Sequence, residues 1–367
     1  MRKIALALGD AGAAQYFMPV VPQLRSMYEL KIFADPQGVA TKELDKANIP
    51  HRVTDGTDID LTGVSHMLCG TAAKAQTLWR NATIGALRAG VLVAWFGDFV
   101  GSGCEPAVRD LNPDFAAVFD EGTKRDFLSL REASFDPKHI SVIGNPSFDK
   151  IAGLDITAMR KQSRATLGIH QGETLIIYSA SSLRQFALKE ESLDVLVPWV
   201  KKRGYKLSVR FHPSDLTNDA EAIDRLHRWM RHTLGKAFAD ADALQGFELA
   251  SAADLFVTDY STQGFKSCLA GIPTAFLILA SAQKYQESRG GKFPYFPILN
   301  PRDAAGRLRS APTVGIFDRE FADEMFDYAL RPDFKQDLPR RLRQPEFEVM
   351  CDGKAGERVL AFIARMP

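Results

Sequence analysis

Ionisable and hydrogen-bonding side chains gather where apolar runs of this sequence end. Arg210, His212 and Pro213 follow "KLSV", Asp259 to Gln263 follow "DLFVT", and Asp98 follows "VLVAWFG". A guanidinium and an imidazole two residues apart can neutralise a diphosphate through charge-assisted hydrogen bonds, and the ring of Pro213 fixes the exit of the chain behind them. Ser261 and Thr262 fall where a helix should begin, so their hydroxyls and the unpaired N–H groups of a first turn form an anion site. The same two residues serve equally as an N-cap for their own helix. Asp98 is placed to act as a general base on an acceptor hydroxyl or, as readily, to cap a helix. Asp120 reads as a cap, because Gly122-Thr123 leads straight into a helix. Gly9-Asp10-Ala11-Gly12 lets backbone approach a ligand at the first strand end, with Asp10 as a second candidate base. It lacks the third glycine of a dinucleotide fingerprint and reads equally as a tight turn.

Such groups are useful together only if the strands that carry them end on one edge. The chain alternates strand and helix twice. "KIALALG", "ELKIFAD", "GVLVAWFGD", "FAAVFDEG" and "ISVIGNP" are strand-like in the first half, separated by helical stretches near 15–28, 72–89 and 123–134. "TLIIYSASS", "KLSVRFHP", "DLFVTDYS" and "PTAFLI" repeat the pattern, with helices near 185–202, 219–233 and 262–270. Alternation of this kind predicts doubly wound parallel sheets, with ligands beyond the carboxyl ends of the strands. Asn145-Pro146 breaks the chain between the two series. The expected domains are 1–150, 151–330 and a helical tail, 331–367, whose Val359, Leu360 and Ile363 share a face and return to the first domain.

Composition narrows the function classes. In 367 residues, 46% are hydrophobic and the formal net charge is +1, which leaves no electrostatic footprint for nucleic acid. No stretch approaches the roughly 20 apolar residues of a membrane span, so membrane contact is expected only peripherally, through a lipid-linked acceptor. Cys69, Cys104, Cys268 and Cys351 are scattered without metal-type or disulfide-type spacing, which fits a reducing cytoplasm, at most at the inner face of the membrane.

The stretches "HISVIGNPSFDKI", "RFHPSD", "ASAADLFVTDYSTQGFKSCLAGIPTAFL" and "DGKAGERVLAFI" resemble the GT-B-fold nucleotide-sugar enzymes, and most of all the branch that includes CDP-glycerol glycerophosphotransferases. The resemblance runs over most of the chain and is strongest from about 140 to 280. It implies a GT-B fold of two facing Rossmann-like domains and contacts from His212, Ser261 and Thr262 to the donor's pyrophosphate. "ASAADLFVTD" is also similar to a segment of UDP-N-acetylglucosamine 2-epimerases that continues into a Glu pair; Phe265 and Lys266 stand there instead. Asp120-Glu121-Gly122 resembles a motif of CMP-sugar sialyl- and Kdo-transferases, in the setting of an ordinary helix cap. The expected function is transfer of a sugar or polyol-phosphate unit from a CDP-, CMP- or UDP-linked donor to a saccharide or polyol acceptor in surface-polysaccharide synthesis. The donor is a substrate, and no tightly bound cofactor or metal is expected. Catalytic candidates are Asp98, Asp10 and His212; the nucleotide- or phosphate-binding set is Gly9, Gly12, Asn145, Arg210, His212, Pro213, Asp259, Ser261, Thr262 and Gln263. The rivals are an epimerase or hydrolase on the same fold, and a non-catalytic nucleotide-sugar-binding protein.

Overall fold

Short apolar runs in the first half become strands because both their faces are covered. In the computed structural model, β1 (Lys3–Leu8) buries every residue from Ile4 to Leu8, as a central strand of a parallel sheet must. The structure describes residues 1–37, 39–72, 76–131, 134–180, 186–211, 220–241, 243–259, 261–288 and 310–367. After β1 come α1 (Ala11–Phe17), α2 (Val21–Met27), β2 (Glu29–Ala34), α3 (Ala40–Lys46), β3 (Arg52–Val53), β4 (Val64–Gly70), α4 (Gln76–Arg88), β5 (Leu92–Phe96), β6 (Phe115–Val118), α5 (Glu121–Leu130) and β7 (Ile140–Val142). They form a seven-stranded sheet, parallel at every pairing, in the order β3-β2-β1-β4-β5-β6-β7. The order reverses between β1 and β4, so the crevice of this sheet opens beyond Leu8 and Gly70. Strand β4 is absent from the sequence-based expectation: Ser65, His66 and Cys69 interrupt its apolar run.

The second series builds its own sheet. It contains α6 (Ile156–Thr166), β8 (Leu175–Ser179), α7 (Phe186–Arg203), β9 (Lys206–Arg210), α8 (Ala220–Leu234), α9 (Gly246–Ala252), β10 (Leu255–Thr258), α10 (Thr262–Leu269), β11 (Thr274–Leu277), α11 (Ala280–Ser288), β12 (Val314–Ile316), α12 (Ala322–Leu330) and α13 (Pro332–Leu342). The five parallel strands run β12-β11-β10-β8-β9, reversing between β8 and β10. Two apolar clusters cover its faces, one built on Ile176, Tyr178, Trp199 and Phe326, the other on Ile177, Leu249 and Phe256.

The chain divides into two units, residues 1–153 with 345–367, and residues 154–344. It therefore stays with the second sheet through α12 and α13, beyond the expected return at 331, because Phe326 and Phe334 belong to that sheet's core. The return is made by α14 (Pro345–Cys351) and α15 (Ala355–Arg365). Val359, Phe362 and Ile363 of α15 join Ile4, Leu6 and Phe96 in the first core, while Leu360 is half-buried. Asp149 secures the start of α15 by accepting the N–H groups of Ala355 (2.9 Å) and Gly356 (2.7 Å), where the helix dipole favours an anion. Arg358 ties the same helix to the carbonyl of Ile143 at 2.8 Å. Among the described residues no helix is long and apolar enough to cross a membrane, and no disulfide joins any of the four cysteines.

Candidate functional site

The chemistry-bearing residues lie at the carboxyl edge of each sheet. In the first unit, Asp10 caps α1 by accepting the N–H of Ala13 at 3.1 Å. One residue into α1's first turn, Gly12 leaves room for Asp98: a Cβ there would stand 2.0 Å from the Asp98 Oδ2. Asp98 follows β5 with no helix behind it to cap. Its Oδ1 accepts the hydroxyls of Thr71 (3.1 Å) and Ser102 (3.0 Å), while its carbonyl accepts Asn145 Nδ2 at 2.6 Å. The side chain keeps a partly accessible edge. Burial, followed by the negative charge of Asp10, pushes its carboxyl group up to about 7, against the smaller pull of the Ser102 and Thr71 hydroxyls.

Glu105 completes an acidic cluster that no motif announces. It lies on the loop after Asp98 and accepts the N–H of Gly103 at 2.7 Å. Burial above all, with Asp98 and Asp10 adding repulsion, raises its carboxyl group to about 7. A carboxylate on an irregular loop carries no periodic signal, and only its neighbours in space single it out. Tyr16, one turn beyond Gly12, is buried, and its hydroxyl has no hydrogen-bond partner among the described residues; burial and the charge of Asp98 hold its phenol far above the ordinary range. Asp120 caps α5, accepting the N–H of Thr123 at 2.6 Å.

This cluster corrects two expectations. Gly9 and Gly12 do not open a phosphate cradle, because the turn is filled by the Asp10 cap and the Asp98 carboxyl group, and a phosphate there would meet like charge. Asn145 is buried, with both ends of its amide committed to Asp98 O and to the Ser147 N–H at 2.8 Å; its work is to hold the Asp98 backbone.

The second unit presents the opposite charge. Arg210, at the end of β9, donates from Nη1 to Ser179 Oγ at 3.3 Å. Among the described residues no carboxylate pairs with it, and burial holds its pKa below the ordinary value. Thr258, at the end of β10, donates to the Ser179 carbonyl at 2.9 Å and accepts the Ser261 N–H at 3.2 Å, which links the edge of β8 to the turn before α10. Ser261 is the N-cap rather than a first-turn residue: its Oγ accepts the Gln263 N–H at 3.1 Å. A serine hydroxyl that accepts one bond still has its own proton to donate. Thr262 is the first helical residue and is exposed, and neither its hydroxyl nor its N–H has a partner among the described residues. Gln263 Nε2 is buried without one. Gly264 makes the close approach possible, since a Cβ would meet Thr258 Cγ2 at 2.4 Å.

Asp259 is corrected too. Its carboxylate turns inward, buried, to accept the hydroxyls of Tyr178 (2.8 and 3.0 Å) and Ser192, so it braces β8, β10 and α7. Phe265 is buried in the core side of α10. His212 and Pro213 lie outside the described residues, as does Tyr260. Among the described residues no group of three His, Cys, Asp or Glu side chains is arranged to hold a metal ion.

The architecture matches solved structures across the whole chain. The UDP-GlcNAc 2-epimerase of Neisseria meningitidis bound to UDP-GlcNAc is 12% identical, with a TM-score of 0.59 over 99% of this chain and 100% of that one. The epimerase of Methanocaldococcus jannaschii in complex with UDP-GlcNAc and UDP is 12% identical, with a TM-score of 0.64 over 99% and 100%. MurG of Acinetobacter baumannii is 12% identical, with a TM-score of 0.61 over 99% and 100%. No protein-family model matches the sequence, and no curated protein sequence does. At these identities the likeness establishes the fold, which is GT-B. It includes the epimerases and lends no support to the CDP-glycerol branch.

Proposed function

We propose that the chain is a nucleotide-sugar enzyme that transfers a glycosyl or polyol-phosphate unit from a nucleotide-activated donor to a hydroxyl acceptor in surface-polysaccharide synthesis. The observation that carries this reading is Asp98. It is a partly accessible carboxyl group at the carboxyl edge of β5, oriented by two hydroxyls and raised to about 7, which suits a general base working near neutral pH. Asp98 takes the acceptor's hydroxyl proton as the acceptor oxygen attacks, and the nucleotide leaves. The second unit carries an edge suited to phosphate charge: Arg210 supplies a cation without a carboxylate partner among the described residues, and Thr262 supplies an open hydroxyl and N–H at the positive end of α10. The resemblance adds His212 to this set. The solved structures that share the fold include proteins bound to UDP-GlcNAc and UDP, so a UDP-linked donor is the first to test.

A second reading is a 2-epimerase or hydrolase. It is favoured by Glu105, a second carboxyl group near 7 beside Asp98, because two such groups suit removal and return of a proton at carbon. Against it stand Phe265 and Lys266 at the positions of the Glu pair. Incubation with UDP-GlcNAc in deuterated water separates the two. Donor consumption that requires an added saccharide or polyol acceptor, with no deuterium in the sugar, supports transfer. Deuterium incorporation without acceptor overturns transfer in favour of epimerisation. Thermal shifts with UDP, CDP, CMP and GDP identify the base, and binding without turnover of any donor leaves a binding protein.

A further inference from the structure

We infer that Arg131 is a positioning residue that fixes Glu105 within the acidic cluster, an inference that rests on the proposed role of that cluster. Arg131 is buried, although it is charged and, among the described residues, no carboxylate pairs with it directly. Its guanidinium lies 4.2 Å from the ring centre of Phe127 and 5.3 Å from that of Trp95, a geometry in which aromatic faces offset part of the cost of desolvating a cation. Nε donates to the carbonyl of Leu111 and Nη2 to that of Val108, both at 3.2 Å. Both carbonyls belong to the turn that follows Glu105, and Val108 N–H in turn donates to the Glu105 carbonyl at 3.2 Å. The planar fork therefore clamps the turn after Glu105, while the Gly103 N–H holds the Glu105 carboxylate. Nη1 is buried without a partner among the described residues, so the cation is retained at a cost that two carbonyl bonds to an otherwise irregular loop explain.

Lysine cannot replace this clamp. An ammonium is a point donor on a flexible stem, whereas the guanidinium binds two carbonyls at a fixed separation. Arg131→Lys keeps the charge and releases the turn, so Glu105 gains access to water. The charged and titratable groups facing Glu105 and its loop are Asp98, Asp10, Arg109, Arg131 and the Cys104 thiol, which burial keeps neutral, with Asp126 facing Cys104. The substitution removes none of the charges among them. Because burial is the main cause of the raised Glu105 value, exposure moves it down from about 7 toward the ordinary carboxylate range.

The test is a titration of the full chain carrying carbon-13 at glutamate side-chain carboxyls, with Glu105 assigned through Glu105→Gln. A Glu105 midpoint that falls in Arg131→Lys supports positioning; a midpoint that stays near 7 in the folded variant overturns it, whatever happens to the melting temperature. Phe127→Leu, which removes the ring beneath the guanidinium, gives the same comparison with a smaller expected fall should Arg131→Lys not fold. Turnover of a nucleotide-sugar should drop about 100-fold in Arg131→Lys, as for a misplaced catalytic group. If the midpoint falls while Glu105→Gln keeps full turnover, the positioning stands and a catalytic role for Glu105 fails, while the reading of Asp98 as the base is tested separately.

Discussion

After β1 and after β10 the chain makes the same move. A strand ends, a polar side chain caps the next helix, and a glycine in the first turn lets that helix press close. In the first unit the cap is Asp10, and the space beside Gly12 is taken by Asp98. In the second the cap is Ser261, and the space beside Gly264 is taken by the methyl group of Thr258. One edge is thus crowded with carboxyl groups, of which Asp98 and Glu105 are raised by burial above all and further by neighbouring negative charge, and the other pairs neutral donors with Arg210. The same backbone device frames an edge of raised carboxyl groups and, on the proposed reading, an edge that attracts an anion. The difference lies in two or three side chains rather than in the fold.

The largest effect should come from the acidic edge. Asp98→Asn is expected to reduce turnover about 10²- to 10⁴-fold while leaving nucleotide affinity unchanged, as steady-state kinetics and calorimetry together would reveal. In the unmodified protein, the rate at low substrate should rise with pH through about 7 as Asp98 loses its proton. The folded-state value lies above the unfolded one, so Asp98 contributes stability below its ordinary carboxylate value and loses it as pH rises through about 7. Asp98→Asn should therefore flatten the fall in melting temperature between the ordinary carboxylate value and about pH 7, and an unchanged slope would remove Asp98 from the buried cluster.

The basic edge should respond in affinity instead. Arg210→Met is expected to weaken binding of a nucleoside diphosphate by about 1.5–3 kcal/mol, with the matching nucleoside unaffected. The glycines sharpen the contrast. Gly264→Ala forces a methyl group into Thr258 and should cost about 1–3 kcal/mol of stability, together with some diphosphate affinity; Gly12→Ala displaces the Asp98 carboxyl group and should alter the pH–rate profile without touching affinity. The smallest expected effect is at Thr262. Thr262→Ala should lower diphosphate affinity by about 1 kcal/mol with little change in melting temperature, because Ser261 holds the cap; an equal loss for nucleoside and diphosphate would move Thr262 away from the phosphates.

Much of this arrangement is legible in the sequence. Continuous apolar runs such as "KIALALG" and "TLIIYSASS" announce buried parallel strands, and polar residues at their carboxyl ends announce the edge. Strand β4 escapes because Ser65 and His66 break its run, and β3 and β12 because two or three residues carry no period. What a strand-end side chain faces is not encoded locally. Asp259 and Asp98 both follow apolar strands, yet Tyr178 and Ser192 draw the first inward, while Thr71 and Ser102 hold the second at the edge. Asn145 looks like part of a motif and serves as a backbone brace. Glu105 and Arg131, separated by 26 positions of chain numbering (131 − 105), become neighbours only through the fold.

The division of labour between the two edges can be tested in a single calorimetric comparison. UDP would be titrated into the unmodified protein, Asp98→Asn and Arg210→Met, each checked for folding. The account predicts unchanged affinity in Asp98→Asn and a loss of roughly 10- to 150-fold in Arg210→Met. Tighter or unchanged binding in Arg210→Met, or a comparable loss in Asp98→Asn, would contradict it.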